Sequence, residues 1–481
     1  MASITSLGVG SGLDLNSIVT QLVALERRPL SQMQTQASTL NTKVSLYGKI
    51  NSHFSTLQTA SNKLNDSTFW QKSAVSSSDT AAVSVSGNTG AAVGNYAVVV
   101  QNLAGSQTVA ANTSVSAATD LVGAGTMSLQ LGSWDNGQTT FSPKSGTSAS
   151  AITVTATDTL ETLRDKINAA SAGVSASLVS DANGVRLSLR SDASGKENGF
   201  RLSAVDNDGQ LGDSAGLSRF AFDPPAGTTG MLQRQAALNA NLTVNNIGVE
   251  SASNDVTGVI DGVTLTLRKE SPTTTVNISA VRDREAIAAG IKTFAEAYSA
   301  LAGYLNEQTK YNADAKTGGP LQGDSAATGL QSQLRSVLNL SSSASSMFAR
   351  LSDMGLEAQR NGTLTVNQTK LDKALTNLPE LQKALTNSDT LTPANDGFAR
   401  RYAKLATQVL GVDGTVTTRT QGLQKLISKN GEDQTRLNDR VEAFQKRLVA
   451  QYTAMDANVA KLNALSSYVT QQIAQMNRST S

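Results

Sequence analysis

The sequence predicts an α+β multidomain protein, in which both chain ends form a helical or coiled-coil bundle. Two β-rich head domains are inserted between the ends, one nested in the other. The prediction rests on three observations. Apolar residues recur every three or four positions near both ends, which is typical of helices that pack along one face. The intervening two hundred residues are rich in Ser, Thr, Val, Gly and Asn, and they contain short alternating runs that are typical of strands.

The N-terminal helices begin after a Gly- and Ser-rich leader. Asp14 is placed to cap a helix whose apolar residues are Leu15, Ile18, Val19, Leu22 and Leu25. Pro29 is expected to separate this helix from a longer one, because proline cannot continue a helical hydrogen-bond ladder. The longer helix carries a heptad series from Leu30 to Leu64. As assembly contacts at this end we predict Leu13, Ile18, Leu22 and Leu25.

The C-terminal segment carries an apolar seam with near-heptad spacing and one stutter near Leu448. We predict the following residues of this seam as assembly contacts: Leu437, Val441, Phe444, Leu448, Tyr452, Met455, Val459, Leu462, Val469 and Ile473. The other faces are polar, so neither end is expected to be stable without a partner helix. Two arrangements are open for the inner portions, packing inside one bundle or contact with another subunit. For the outermost forty residues at each end we favour contact with another subunit.

The middle of the chain predicts strands from about residue 73. A hairpin is expected at Asn183 and Gly184, and one helix is expected over 160–170. Helices return at Asp283, and further ones are predicted over 284–311, 326–340, 367–385 and 397–410, with a small hairpin at 354–366. The predicted domains are terminal leg helices (1–40 and 440–481), a helical bundle (41–72 and 282–439), a first head domain (73–112 and 236–281) and an inserted, variable head domain (113–235).

Composition excludes several classes of function. The chain has no cysteine and a single histidine, His53, so disulfides, thiol nucleophiles and zinc or iron–sulfur sites are excluded. No convergent set of titratable residues can be assembled, and we predict neither an enzyme nor a cofactor. The net charge is +2, which does not indicate nucleic-acid binding. The first basic residue is Arg27, so we expect no secretory signal, and no apolar run reaches the ~18 residues that span a bilayer.

Charge is distributed unevenly along the chain. Residues 73–281 contain 11 Lys and Arg against 17 Asp and Glu, a net charge of −6, whereas the two flanks together carry +8. This asymmetry is consistent with head and leg regions that meet different neighbours.

Several segments resemble one known family. Ser-Leu-Gly-Val-Gly-Ser-Gly-Leu-Asp at residues 6–14, followed by residues 18–23 and 26–30, resembles the N-terminal signature of the flagellar filament cap protein family, also called hook-associated protein 2. Residues 254–265, 321–325 and 351–355 resemble further blocks of that family, as do Arg440, Arg447, Leu448, Tyr452, Met455 and Asp456. Residues 113–235 contain no segment that we can align with the family.

The resemblance implies a structural function. Members form a ring at the distal tip of the growing flagellum, of roughly five or six subunits, and promote folding and insertion of exported flagellin. Further implied partners are the hook–filament junction protein and an export chaperone on the C-terminal helix. Binding of host mucin or glycan by the head stays open as a second activity of a cap. The implied location is extracellular, reached through the flagellar type III channel. Two alternatives stay open: another flagellar axial protein (junction or filament) and a secreted adhesin.

Overall fold

The computed structural model describes residues 14–207, 215–228, 230–313 and 316–479. The chain divides into two compact units. The first combines both chain ends, up to Asp66 and from Ile287 onwards, and the second comprises Ser67–Ala286. Helical chain ends around a β-rich middle confirm the predicted α+β class.

The first unit is mainly helical. Its helices are α1 (Leu15–Glu26), α2 (Arg28–Asn65), α5 (Arg284–Thr309, which begins at the unit boundary), α6 (Ser325–Asn339), α7 (Gln368–Ala374), α8 (Leu378–Thr386), α9 (Phe398–Leu410) and α10 (Thr415–Ser479). Aromatic side chains fill the core between them. The Tyr402 ring lies 5.3 Å from that of Tyr298 and 5.6 Å from that of Phe294, centroid to centroid. Each tilted or edge-to-face pair of this kind contributes roughly 0.5–1.5 kcal/mol of stability beyond that of burying its rings.

The single helix predicted over 367–385 is wrong. The segment forms α7 and α8, which are separated by Leu375, Thr376 and Asn377. Pro379 occupies the first turn of α8, where its missing N–H costs nothing, whereas a continuous helix would bring its ring against the carbonyl of Leu375. Asn377 caps the new helix by accepting a hydrogen bond from the Glu380 N–H. The predicted small hairpin is confirmed by the strand pair β19 (Leu356–Ala358) and β20 (Leu364–Val366), and a two-residue pair, β17 (Tyr311–Asn312) and β18 (Thr317–Gly318), follows α5.

The second unit contains antiparallel sheets. The strands are β1 (Ser73–Ser77), β2 (Val83–Gly87), β3 (Gly94–Asn102), β4 (Thr108–Ala111), β5 (Gly125–Trp134), β6 (Phe141–Pro143), β7 (Ser150–Val154), β8 (Val174–Asp181), β9 (Gly184–Ser191), β10 (Gly199–Asp206), β11 (Met231–Gln235), β12 (Ala240–Val244), β13 (Ile247–Ser251), β14 (Asp255–Ile260), β15 (Val263–Leu267) and β16 (Ser271–Arg282). A short helix, α3 (Ser67–Trp70), precedes them, and α4 (Leu160–Ala169) lies among them as predicted.

Four sheets organise these strands. Their orders are β1-β16-β3-β12-β13, β14-β15-β2, β11-β4-β9-β8 and β10-β5-β6, with β7 also pairing with β5. Two separate hydrophobic cores result. One is formed by buried residues between positions 109 and 231, and the other by residues on both sides of that stretch, at 82–104 and 240–278. One β-rich lobe is therefore inserted into the other.

The predicted hairpin joins β8 to β9, although its turn is displaced by one residue. Asp181 pairs with Gly184, so the two turn residues are Ala182 and Asn183 and not Asn183 and Gly184. Gly184 has φ +129°, and a Cβ atom there would lie 2.1 Å from the carbonyl oxygen of Val115. Glycine is thus required for backbone conformation and close approach at the start of β9.

Candidate functional site

The candidate assembly site lies in the terminal helices α1, α2 and α10. The Asp14 side chain caps α1 by accepting a hydrogen bond of 3.0 Å from the Ser17 N–H. The helix ends at Glu26, and α2 starts at Arg28 with Pro29 in its first turn. The predicted break near this proline is therefore confirmed, and α2 is a separate helix.

One hydrophobic cluster joins α1 to α10. We call it the terminal seam, and its buried residues are Val19, Val23, Leu437, Val441 and Leu448. Burying a side chain of this size contributes roughly 1.5–3 kcal/mol. Beside the seam, the Arg440 guanidinium lies 2.8 Å from a carboxylate oxygen of Glu26. Arg440 is exposed and Glu26 is partly exposed, and a solvated pair of this kind contributes only about 0–1 kcal/mol, so apolar burial holds the helices together.

Several of the predicted contacts are buried within the monomer. Leu437, Val441 and Leu448 belong to the terminal seam, and Leu22, Phe444 and Tyr452 are half-buried and pack against it.

The predicted contacts on α1 are less well placed. Ile18 and Leu25 are exposed, although both were predicted on the apolar face of α1. The face that α1 buries runs through Leu15, Val19 and Val23 instead, and Leu13 lies outside the described residues. The sequence placed Leu15 and Val19 on the apolar face but not among the predicted assembly contacts. It missed Val23 altogether, although the four-residue step from Val19 was a signal for it.

The last part of α10 carries apolar side chains that the described fold leaves uncovered. We call it the C-terminal stripe, and its residues are Met455, Val459, Leu462, Val469, Ile473 and Met476. Leu462 is 63% exposed and Ile473 53% exposed, and only Val459 is half-buried. A run of exposed apolar residues over more than five helical turns is typical of an interaction surface.

A buried polar cluster connects α2, α6 and α10 within the same unit. One carboxylate oxygen of Asp324 accepts a hydrogen bond of 2.7 Å from the Tyr47 hydroxyl, and the other accepts one of 2.6 Å from Arg419. Asp324 also caps α6 by accepting bonds from the Ala326 and Ala327 N–H groups. The Asp324 side chain is fully buried, whereas Arg419 keeps about a third of its side chain in solvent. This charge-assisted network holds three helices at one point.

Acid is expected to weaken this network. Burial alone would raise the pKa of Asp324, but the hydrogen bonds from Tyr47 and Arg419 outweigh it and hold that pKa below its ordinary value. A carboxyl with a lowered pKa stabilises the fold above its unfolded pKa of about 4, and this contribution is lost as the pH falls through the folded value. We expect the difference in unfolding free energy between the native chain and Asp324→Asn, measured by urea denaturation, to shrink below about pH 4.

The control for this measurement is Asp439→Asn, which removes the same charge at an exposed position of α10. The difference in unfolding free energy between this variant and the native chain should change much less over the same pH range. An equal change in both variants would show that the network is not the acid-sensitive element.

The described residues contain little that could support other chemistry. They include no group of three or more His, Cys, Asp or Glu side chains that could hold a metal ion. The His53 ring lies 5.0 Å from that of Tyr304, at the edge of the α2 packing surface. Burial and the nearby Lys49 lower the pKa of His53. No helix in the described ranges combines the length and apolarity needed to cross a bilayer.

Comparison with known proteins identifies relatives along nearly the whole chain. Family models described as flagellar hook-associated protein 2 N-terminus and C-terminus match residues 11–107 and 237–464. The flagellar hook-associated protein 2 of Escherichia coli K12 is 32% identical, and the B-type flagellar hook-associated protein 2 of Pseudomonas aeruginosa is 29% identical; each alignment covers 98% of both chains. The crystal structure of the D1-D2-D3 domains of the E. coli flagellar cap protein FliD superposes with a TM-score of 0.61 at 28% identity. It covers 79% of this chain and 99% of that one.

A third family match corrects the sequence analysis. A model described as the flagellin hook IN motif matches residues 139–193, within the stretch for which we found no alignable segment. The matched stretch contains β6, β7, α4, β8 and β9. The inserted lobe therefore contains a recognisable motif.

Proposed function

Because the chain belongs to the flagellar hook-associated protein 2 family, we propose that its terminal helices hold a cap on the end of the flagellar filament. The protein is a structural component of the bacterial flagellum and caps the filament at its tip, outside the cell. It acts as an oligomer that promotes folding and insertion of exported flagellin subunits. It performs no enzymatic step in this process, and no cofactor is required.

The observation that carries this proposal is the exposure of the C-terminal stripe. Leu462, Val469 and Ile473 lie on one face of α10, and the described fold leaves that face uncovered. An amphipathic helix of this kind is stabilised by docking against another helix or into an apolar groove. Helices of the filament end fit this requirement. The largely polar remainder of α10 keeps the contact limited in area, so that it can be released and remade.

The other partners are proposed on the family resemblance. The cap is a ring of roughly five or six subunits, and it contacts flagellin and the hook–filament junction protein. Before export through the type III channel, a chaperone covers the C-terminal stripe, because an exposed apolar helix otherwise associates nonspecifically. Binding of host mucin or glycan by the head remains a prediction without a supporting contact. Symmetry in electron-microscopic class averages of isolated caps would measure the subunit number.

Immunogold electron microscopy tests the proposed location. Antibody raised against residues 73–281 is expected to label filament tips only. Labelling along the filament or at its base would instead identify a filament or junction protein, and labelling over the cell body would favour an adhesin. A strain that lacks the gene is the control for antibody specificity.

A further inference from the structure

A polar cleft lies within the second unit, where the chain crosses between the two β-rich lobes. Its volume is about 400 Å³, and the crossing segments near Asn102 and Ala237 line it. Seven carboxamide side chains contribute to its wall: Asn102, Gln107, Asn136, Gln138, Gln233, Asn239 and Asn241. The terminal-helix function described above makes no use of this cleft.

One of these carboxamides, Asn239, links the two lobes, whereas Asn241 and Asn102 pair within one of them. The Asn239 side chain accepts a hydrogen bond of 2.6 Å from the Lys196 N–H and donates one of 2.7 Å to Glu250. Asn241 donates to the side-chain oxygen of Asn102 over 3.0 Å. These contacts fix the shape of the cleft before any ligand arrives, which lowers the entropic cost of binding.

Other carboxamides have unused hydrogen-bonding groups. Gln107 is fully buried, and its side-chain oxygen accepts a bond of 2.7 Å from the Phe200 N–H. Its amide nitrogen has no partner among the described residues. An unsatisfied buried donor costs about 1–3 kcal/mol, which an acceptor supplied by a ligand would recover. The side chains of Asn136, Gln138 and Gln233 also line the cleft and are exposed or half-buried, so that a ligand can reach their amide groups.

The acidic and aromatic side chains of the cleft are already engaged, and Lys196, the basic residue of its lining, donates its backbone N–H to Asn239. Asp135 accepts hydrogen bonds from Thr139 and Thr140, and Glu250 accepts the bond from Asn239. The Trp134 indole donates to the Phe200 carbonyl over 2.9 Å, and its ring packs 4.8 Å from the Phe141 ring, centroid to centroid. A sugar site generally uses free carboxylates and an open aromatic face. Carboxamides, which combine one donor group with one acceptor, match the peptide group instead.

We propose that this cleft binds an extended, uncharged polypeptide segment through its main-chain amides and carbonyls. Leu238, which is half exposed in the cleft, and the accessible edge of Trp134 provide apolar contacts for its side chains. Recognition of the main chain tolerates many sequences, which suits an unfolded chain. The identity of that chain as an incoming filament subunit rests on the proposed function, whereas the binding itself does not.

Tryptophan fluorescence of the full chain tests the proposal. The protein has two tryptophans, so Trp70→Phe leaves Trp134 as the only reporter. The probe is an acetylated and amidated peptide that copies residues 2–12, which contain no charged side chain. We expect a saturable fluorescence change. Gln233→Ala should weaken binding about tenfold, the equivalent of one hydrogen bond.

The matched control is Gln235→Ala, on the same strand β11 but outside the cleft lining. It should leave peptide affinity unchanged, and neither variant should alter the thermal unfolding temperature. The absence of saturable peptide binding, or equal losses in both variants, would overturn the proposal. Saturable binding of maltotriose in place of the peptide would overturn it in favour of a sugar site. Immunogold labelling of the filament tip is an independent readout, so failure here leaves the capping function standing.

Discussion

Cells whose only copy of this protein carries Leu462→Asp and Ile473→Asp are expected to secrete flagellin but to build no full-length filaments. Both residues lie in the C-terminal stripe and are more than half exposed in the described fold. The monomer therefore tolerates the change, but docking would bury two charges in an apolar contact. An unpaired buried charge costs at least several kcal/mol, which corresponds to a loss of affinity of a hundredfold or more. Filament length in electron micrographs and flagellin in the culture medium measure the effect.

A matched control places the same two charges on the opposite face of α10. Gln471→Asp and Gln475→Asp lie roughly half a helical turn away from the stripe and are exposed. This control variant should support filaments of normal length. Thermal unfolding of both purified variants should equal that of the native protein. Normal filaments from the stripe variant would contradict docking through this face, and equal defects in both variants would indicate sensitivity to charge anywhere on the helix.

The position of these helices could be predicted from sequence because heptad spacing is a local property. Leu437, Val441 and Leu448 are spaced as a seam and are buried as a seam. Which part of the seam finds a partner inside the monomer is not a local property. The same spacing continues through Val469 and Ile473, yet these residues are exposed. Periodicity identifies an apolar face, but which helix covers that face depends on tertiary packing.

Errors in the prediction have equally specific causes. We predicted one helix in place of α7 and α8 because the apolar spacing of Leu371 and Leu381 continues across the break. That prediction overlooked the helix-breaking effect of Pro379. The turn between β8 and β9 was misplaced because Asn-Gly is a strong turn signal, whereas Gly184 meets a steric requirement set by the distant Val115 carbonyl. Tertiary contacts decide both details, and a local pattern cannot report them.

The Asp324 network was beyond sequence reasoning for the same reason. Its three side chains come from segments separated by 277 and 95 residues. Asp324 itself lies within the 321–325 block that resembles the family, but the block alone indicates only a helix cap. In the structure, the Asp324 carboxylate also accepts hydrogen bonds from the Tyr47 hydroxyl and the Arg419 guanidinium. Residues of this kind are recognised only when the fold brings their partners together.

Among single substitutions in the first unit, we expect Asp324→Ala to be the most destabilising, because of the contacts that Asp324 makes. It removes the cap of α6 and leaves the Tyr47 hydroxyl and the Arg419 guanidinium without their acceptor. Breaking a buried pair by removing one partner costs about 3–5 kcal/mol, and we expect roughly the lower value because Arg419 is partly solvated. Loss of the cap accounts for about 1 kcal/mol of this figure. Urea denaturation followed by helical circular dichroism measures the change.

Companion variants separate the contributions. Asp324→Asn keeps an acceptor for the cap and for Tyr47 but removes the charge, so it should cost less than Asp324→Ala. In a double-mutant cycle, Asp324→Asn and Arg419→Gln together should cost less than the sum of the single changes, by about 1–3 kcal/mol. A cycle that pairs Asp324→Asn with Asp439→Asn should be additive, because Asp439 is an exposed position of α10 without a contact to the network. If Asp324→Ala cost less than about 1 kcal/mol, the network would be a consequence of helix packing and not one of its causes.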